Sequence, residues 1–450
     1  MNCIWITTDS FRQDHVHCYR PEGTLDDTGR SIPVQTPGMD RLAREGVTFT
    51  HMRAEALPTI PCRRGIFTGR RVFPWKDEPR RKGVHPDFPG WRPLPEEDVT
   101  VAEHLSAQGY VTSIVADAYH IWKPAMNLHR GFDGFHWVRG QEFDRWRTQP
   151  LPDGYIGQFV KPGIGRTAHR DRVLTQFLRN HVGVEREGDM PVARTFQYAI
   201  EWLEANRAHE NFFLYIDTFS PHEPWLPPQE YLSLYDDPAY DGPRLIYANM
   251  YGRADLSDAE HQHVRARYAA MCTMVDRWIG RLLEAVDRLD LRERTLIVLM
   301  SDHGKIIGEF GHYGMPQQDT GTALNAVPCF IRHPTGENAG RPFTGWFYNI
   351  DLTATVMSLL GVAPKQDITG RDVWPAVSSG ADEFRDHLVT AYGNMVSVWQ
   401  DDWLYLLDTN TGKAALYNLT EDVHRKHDVA DRHPSVRDEL AKKADAAMRA

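Results

Sequence analysis

Helix-length amphipathic stretches followed by short apolar runs recur along this chain, and that alternation restricts the fold more than any other feature. Residues 101–108 carry apolar side chains at helical spacing, stop at Gly109, and give way to an apolar run at 111–116. Residues 193–208 feed the run 212–216, and the long stretch 265–289 feeds 295–300. Residues 38–45 followed by 47–51 are a shorter version, and residues 2–8 open the chain as a run of their own. Runs that are apolar at nearly every position fit strands buried on both faces. The pattern therefore predicts an α/β fold, a mainly parallel sheet sandwiched by helices.

Two regions break the alternation. Residues 120–190 are rich in Trp, Arg, Pro and Gly with weak periodicity, and read as an insertion bordering the site, where loops carry specificity. After Pro375 the runs 389–392, 396–400, 403–408 and 415–418 mostly alternate and are separated by turn residues, with Asn410-Thr411-Gly412 as a hairpin turn. A polar helix over 435–450 follows. The expected organisation is a catalytic domain over 1–378 and a small subdomain over 379–450, an antiparallel sheet with its helix.

Net charge is −10 with no basic block, which argues against a nucleic-acid scaffold. Such a protein must gather positive charge locally if it handles an anion. Five cysteines, Cys3, Cys18, Cys62, Cys272 and Cys329, are scattered without CxxC spacing and suggest neither a disulfide framework nor a zinc knuckle. The first residues lack the basic and small-residue marks of a secretory signal, and no run reaches the roughly 18–20 apolar residues that span a bilayer. The expectation is a cytoplasmic protein without a membrane partner.

Ligands of parallel sheets bind at the carboxyl ends of the strands. Three runs here end in polar clusters: Asp9 onward, Asp217 to His222, and Ser301-Asp302-His303-Gly304. Asp302 and His303 can offer an oxygen and a nitrogen to one divalent ion, with Asp9 as a second carboxylate. Mixed ligation suits zinc or manganese, and the oxygen ligands suit calcium. Taken alone, these residues are equally a surface turn and a helix cap. In Leu57-Pro58-Thr59-Ile60-Pro61-Cys62-Arg63-Arg64-Gly65, a hydroxyl at a helix start has an Arg one turn later, where backbone N–H groups favour an anion.

That segment, with Thr68-Gly69, resembles the signature of the sulfatase family within the alkaline phosphatase superfamily. Other marks occur in the family's order. Thr36-Pro37-Gly38-Met39-Asp40 resembles its first-helix motif, and Ser220-Pro221-His222-Glu223-Pro224 its histidine loop. Ser301-Asp302-His303-Gly304 resembles the metal strand, and Leu416-Tyr417-Asn418-Leu419 the C-terminal signature. The resemblance implies an alkaline phosphatase-like fold and one divalent metal (Mn, Zn or Ca) held by Asp9, Asp302, His303 and Thr59. It further implies Arg63 and His222 as partners of the anion, and Thr59 as an in-line nucleophile that forms a covalent intermediate.

The departures from the family pattern narrow the expectation. The nucleophile position usually holds Cys or Ser, converted to formylglycine. Thr59 is a secondary alcohol, and its oxidation cannot give an aldehyde. Cys62 is the alternative site of that modification, but it lacks a Pro two positions on. Two usual lysines align with Asp117 and Met315 instead, which points to a substrate of lower charge than a phosphomonoester dianion. Ser10 replaces the second Asp of the first strand, so a second metal is left open. Asp117, Tyr119, His120, His312 and Met315 are candidate substrate-binding residues, and Asp14 and Asp319 further candidates. The leading expectation is hydrolysis of a small anionic phosphodiester or phosphonate monoester. The others are a sulfoester hydrolase without formylglycine, a transferase of a phosphate-type group, and a non-catalytic binding protein on the same scaffold. A homo-oligomer is open.

Overall fold

Alternate residues of the first strand face opposite layers of packing, and the fold grows outward from that strand. A computed structural model describes residues 1–26, 28–76, 86, 88–122, 126–164, 167–318 and 320–450. In chain order the elements that build the site are β1 (Asn2–Thr8), α1 (Pro37–Glu45), β2 (Val47–Phe49), β3 (Ala56–Leu57) and α2 (Thr59–Thr68). Then come α3 (Val101–Ser106), β4 (Val111–Ala116), β5 (Gly134–Trp137), α4 (Ala168–Asn180), α5 (Pro191–Asn206) and β6 (Phe212–Thr218). They are followed by α6 (Asp258–Arg288), β7 (Thr295–Ser301), β8 (Cys329–Arg332), β9 (Pro342–Phe343) and α7 (Asn349–Leu359). The last group is β10 (Leu388–Tyr392), β11 (Met395–Gln400), β12 (Trp403–Asp408), β13 (Ala414–Asn418) and α8 (Pro434–Arg449).

The main sheet has eight strands among the described residues, in the order β9-β2-β8-β7-β1-β6-β4-β5. Its ladders are parallel except the two that β8 makes. Ile4 and Ile6 pack into one core with Met39 and Leu42 of α1, Phe196 of α5 and Tyr268 of α6. Cys3 and Trp5 pack into the other with Ile66 of α2, Leu105 of α3 and Val356 of α7. Two buried faces explain why β1, β6 and β7 read as unbroken apolar runs. The helix starts are also written in the sequence. Thr100 and Glu103 exchange capping bonds at α3 (3.1 and 2.7 Å), as do Ser257 and Glu260 at α6 (3.2 and 2.7 Å).

The insertion is more regular than its composition predicts: β5 extends the main sheet, and α4 carries buried Val173, Leu174, Phe177 and Leu178. The smaller sheet runs β13-β12-β11-β10-β3 and packs Val398 and Leu416 against Leu440 and Ala444 of α8. Its β10–β13 part is antiparallel, whereas β3 joins in parallel and leads directly into α2. The strand that delivers Thr59 therefore belongs to the C-terminal sheet.

Candidate metal centre and substrate pocket

Strand register places the acidic residues side by side. Thr8 of β1 pairs with Ser301 of β7 and Thr218 of β6, so Asp9 and Asp302 leave adjacent strand ends together. Asp217 lies beside them, opposite Thr7 in the neighbouring ladder. Asp9, Asp302 and His303 are fully buried, and their ligand atoms all lie within 4.8 Å of one another. His303 Nδ1 donates to the Gly304 carbonyl (2.9 Å), which directs Nε2 at the acids, 3.4 Å from Asp302 Oδ2. Gly304 is required for the close turn behind His303: a Cβ there would run into the Ala323 carbonyl. Ser10 bends the chain with φ 63°, a left-handed conformation that costs a non-glycine residue about 1–2 kcal/mol. Its N–H donates to Asp302 Oδ1 (3.1 Å), its hydroxyl donates to Asp9 Oδ1 (2.9 Å), and its carbonyl accepts from the Tyr268 hydroxyl (2.7 Å).

Thr59 approaches from α2. Its Oγ1 lies 3.3 Å from His303 Nε2. One turn later Arg63, also fully buried, forms a bidentate pair with Asp217 through Nε and Nη2 (2.8 and 2.7 Å). Its Nη1 lies 2.5 Å from Asp302 Oδ2 and 3.3 Å from Asp9 Oδ2. Three carboxylates thus face one guanidinium in a dry environment. Burial, then Asp302, pushes the Asp9 carboxyl well above its usual range. For Asp302 burial acts in the same sense, but His303 and Arg63 outweigh it and lower the group.

These residues fit a divalent cation. Asp9 Oδ2 is buried without a hydrogen-bond partner, His303 Nε2 points at the same space, and two positive charges balance the acids that Arg63 does not.

In front of Thr59 opens a cavity of about 250 Å³. Its polar wall includes Thr59, His120, Glu142, His222, Glu223 and Lys305, and rings of Phe88, Trp91, Tyr119, Phe143 and Tyr392 form an apolar wall. Lys305 is 1% exposed, and its Nζ pairs with Glu223, whose other oxygen accepts from Asn249 Nδ2. Burial would raise the Glu223 carboxyl, but His222 and Lys305 prevail and hold it at about 2. His222 stacks on Phe219 (4.2 Å) and donates Nδ1–H to the Glu223 carbonyl (2.8 Å); burial lowers its pKa, so the ring presented to the cavity is neutral.

The family model described as Sulfatase matches residues 1–362. The chain belongs to the sulfatase family. It is 24% identical to the multifunctional alkaline phosphatase superfamily protein PehA of Trinickia caryophylli, over 89% of this chain and 84% of that protein. It is also 24% identical to iduronate 2-sulfatase of Homo sapiens, over 69% of this chain and 58% of that protein. The phosphonate monoester hydrolase of Agrobacterium radiobacter superposes with a TM-score of 0.73 at 20% identity, covering 99% of this chain and 95% of that one. Its fold, with the main parallel sheet and the smaller antiparallel one, is the alkaline phosphatase-like fold expected. Sulfatase-family enzymes are hydrolases that use a divalent metal ion, usually calcium or magnesium.

Within this sulfatase-family scaffold the sequence-derived candidates separate. Asp9, Asp302, His303 and Thr59 converge, and Tyr119, His120, His222 and Met315 line the cavity. Arg63 corrects an expectation: rather than reaching the anion, it is saturated by Asp217, Asp302 and Asp9 behind the centre. Asp117 is also not on the cavity wall. It is buried and accepts from Phe219 N, Gln141 Nε2 (3.0 Å) and Thr218 Oγ1 (3.3 Å), tying down the loop after β6, and burial raises it to about 7. His312 is exposed and off the wall. Asp14 is held by Arg12 (2.6 Å) and His15 (2.8 Å), and Asp319 lies outside the described residues. Cys62 is fully buried, with Sγ 3.3 Å from the Asp302 carbonyl and 3.3 Å from Asn349 Nδ2.

Two residues were not singled out from sequence. In the sequence Asp217 stands only as part of a polar strand end, and Lys305 follows the Asp302-His303-Gly304 turn without a motif of its own. Lys305 supplies the pocket with the buried cation that the positions of Asp117 and Met315 lack.

Proposed function

We propose that this chain hydrolyses phosphodiesters or phosphonate monoesters through a covalent ester of Thr59. The observation that carries the reading is the Thr59 hydroxyl at 3.3 Å from His303 Nε2, on the wall of a ring-lined cavity. A divalent ion at Asp9, Asp302 and His303 would lower the hydroxyl pKa and offset charge developing on the ester oxygens. Thr59 Oγ1 bonds to phosphorus in line as the bond to the leaving alkoxide breaks, and the hydroxyl proton ends on the departing alcohol. Water then attacks phosphorus as the bond from phosphorus to Thr59 Oγ1 breaks; neutral His222 accepts the water's proton, and a proton returns to the Thr59 oxygen, restoring both side chains.

Two features favour this substrate class. The Lys305 charge is balanced by Glu223, which suits a singly charged phosphorus centre better than a dianion. The ring wall can hold the second substituent that diesters and phosphonate monoesters carry. A sulfate ester also bears one charge, but a sulfated threonine has no aldehyde-forming exit, and Cys62 is buried away from the cavity wall. A cytoplasmic location remains part of this proposal, as does a division into domains at about residue 378.

Aryl phosphodiesters, phosphonate monoesters, phosphomonoesters and sulfates compared on metal-reconstituted protein test the ranking. Diester or phosphonate turnover should lead, vanish in Thr59→Ala, and survive in part in Thr59→Ser, with a phosphoryl adduct trapped on the peptide containing Thr59. Faster sulfate turnover, or an adduct elsewhere, would overturn it.

A further inference from the structure

Phe143 is a wall of two cavities. One is the reaction cavity; the other, of about 440 Å³, is lined beyond Phe143 by Arg145, Arg172 and Arg179, with Asp171, Thr175 and Gln176. The helix α4 forms the seam. His169 and Val173 on one row face the reaction cavity, and residues 172, 175, 176 and 179, spaced three and four apart, form the neighbouring stripe. Thr175 and Gln176 are committed to the fold: the threonine hydroxyl donates to the Asp171 carbonyl (2.6 Å), and the glutamine amide donates to the Arg147 carbonyl (2.9 Å).

The arginines are not committed in this way. The Arg145 guanidinium lies over the Phe143 ring, 5.4 Å from its centroid. Among the described residues, neither it nor Arg172 makes a side-chain hydrogen bond or ion pair, and Arg179 Nε is buried without a partner. In a chain of net charge −10, exposed Arg145 and Arg172 and half-buried Arg179 lining one depression with a single carboxylate, Asp171, are a local reversal of sign. Guanidinium groups in this state favour planar, multiply charged acceptors.

We propose that the cavity behind Phe143 is a second subsite of the substrate, binding an anionic group (carboxylate, sulfonate or phosphate) carried by the leaving group. The substrate class is thus an ester whose alcohol bears its own negative charge, separated from the reacting centre by the span of the ring-lined wall. This rests on the reading of the Thr59 cavity as a reaction site.

The test uses two matched series. Phosphonate monoesters of phenol, 4-carboxyphenol and 4′-carboxy-4-hydroxybiphenyl, covering two spans, serve as substrates. The corresponding arylphosphonates, which have no ester bond to break, are titrated calorimetrically. The proteins are the full chain, the Arg145→Ala/Arg172→Ala variant and Thr59→Ala, all metal-reconstituted. One carboxylated spacer should bind about tenfold more tightly than its neutral counterpart, or about 1.4 kcal/mol, and show a correspondingly lower KM. The double-arginine variant should lose that preference while handling the phenyl compound as before, and added salt should erode it in the full chain. Equal binding of charged and neutral ligands, or equal loss of both in the variant, overturns the subsite. Absence of turnover with the binding preference intact, including in Thr59→Ala, refutes the hydrolase reading and leaves the subsite standing.

Discussion

Replacing Asp217 with asparagine removes one charge from the buried cluster while keeping its shape. Asp217 accepts both ends of the Arg63 fork at 2.7–2.8 Å, and both residues are fully buried. Breaking a buried pair costs about 3–5 kcal/mol. The lower end applies here because Arg63 keeps Asp302 at 2.5 Å and Asp9 at 3.3 Å. For a chain of 450 residues, an unfolding entropy of about 2 cal/mol/K per residue makes each kcal/mol worth about 1 °C, so the expected fall in Tm is about 3 °C. The second consequence is on metal binding. Three acids, one guanidinium and a divalent ion sum to zero; in the Asp217→Asn variant the loaded centre carries an extra positive charge, and Arg63 is freed to compete for Asp302. Affinity should weaken at least tenfold, or about 1.4 kcal/mol. Scanning calorimetry at fixed scan rate, with and without metal, and competition titration with a chelator measure the two effects. An Asp217→Asn variant with wild-type Tm and metal affinity would refute the view that Arg63 and Asp217 balance the centre.

Lys305→Met should lower kcat/KM by more than tenfold and destabilise the protein by about 3 kcal/mol, because it strands buried Glu223. Adding Glu223→Gln should restore Tm in melting experiments but not turnover. The Glu223 carboxyl is held at about 2, below its ordinary 4.5, so its stabilisation is full above pH 4.5 and is lost as pH falls toward 2. Acid melts of Glu223→Gln should be flatter across that window. Since burial holds His222 below its ordinary 6.5, the acid limb of kcat, measured where hydrolysis of the intermediate limits turnover, should lie under pH 6.5 and disappear in His222→Asn; a limb above pH 6.5 would contradict the neutral acceptor. Tyr268→Phe removes the donor to the Ser10 carbonyl (2.7 Å) and the acceptor of the Arg12 N–H (3.0 Å). It should cost about 2 kcal/mol and weaken metal binding, read by melting with and without metal.

The sequence was informative where a signal repeats and weak where one residue carries it. Residues 111–116 are read from sequence as they stand in β4, because a strand buried on both faces is apolar throughout. The convergence of Thr59, Asp9, Asp302 and His303 was legible because each closes a strand or opens a helix in a motif of several residues. Helix α4 escaped notice although residues 173, 174, 177 and 178 are spaced for it, since the Pro- and Gly-rich segments around it blur the period. Asp217 and Lys305 have no periodic signature. Their importance lies in facing Arg63 and Glu223 across 154 and 82 residues of chain, a relation only the packed sheet defines. Asp117 differs for the converse reason: it closes strand β4 as the sequence suggests, but its carboxylate faces the backbone of the loop after β6 and not the cavity.

Residues 56–57 lie early in the chain, yet their ladder partners are residues 391–392. The segment that seats Thr59 thus acquires its hydrogen-bonded neighbour only after more than three hundred further residues have been synthesised. A chain ending before β10 keeps the residues that pack α2 against β1 and α7 but lacks the ladder that leads residues 56–57 into Thr59.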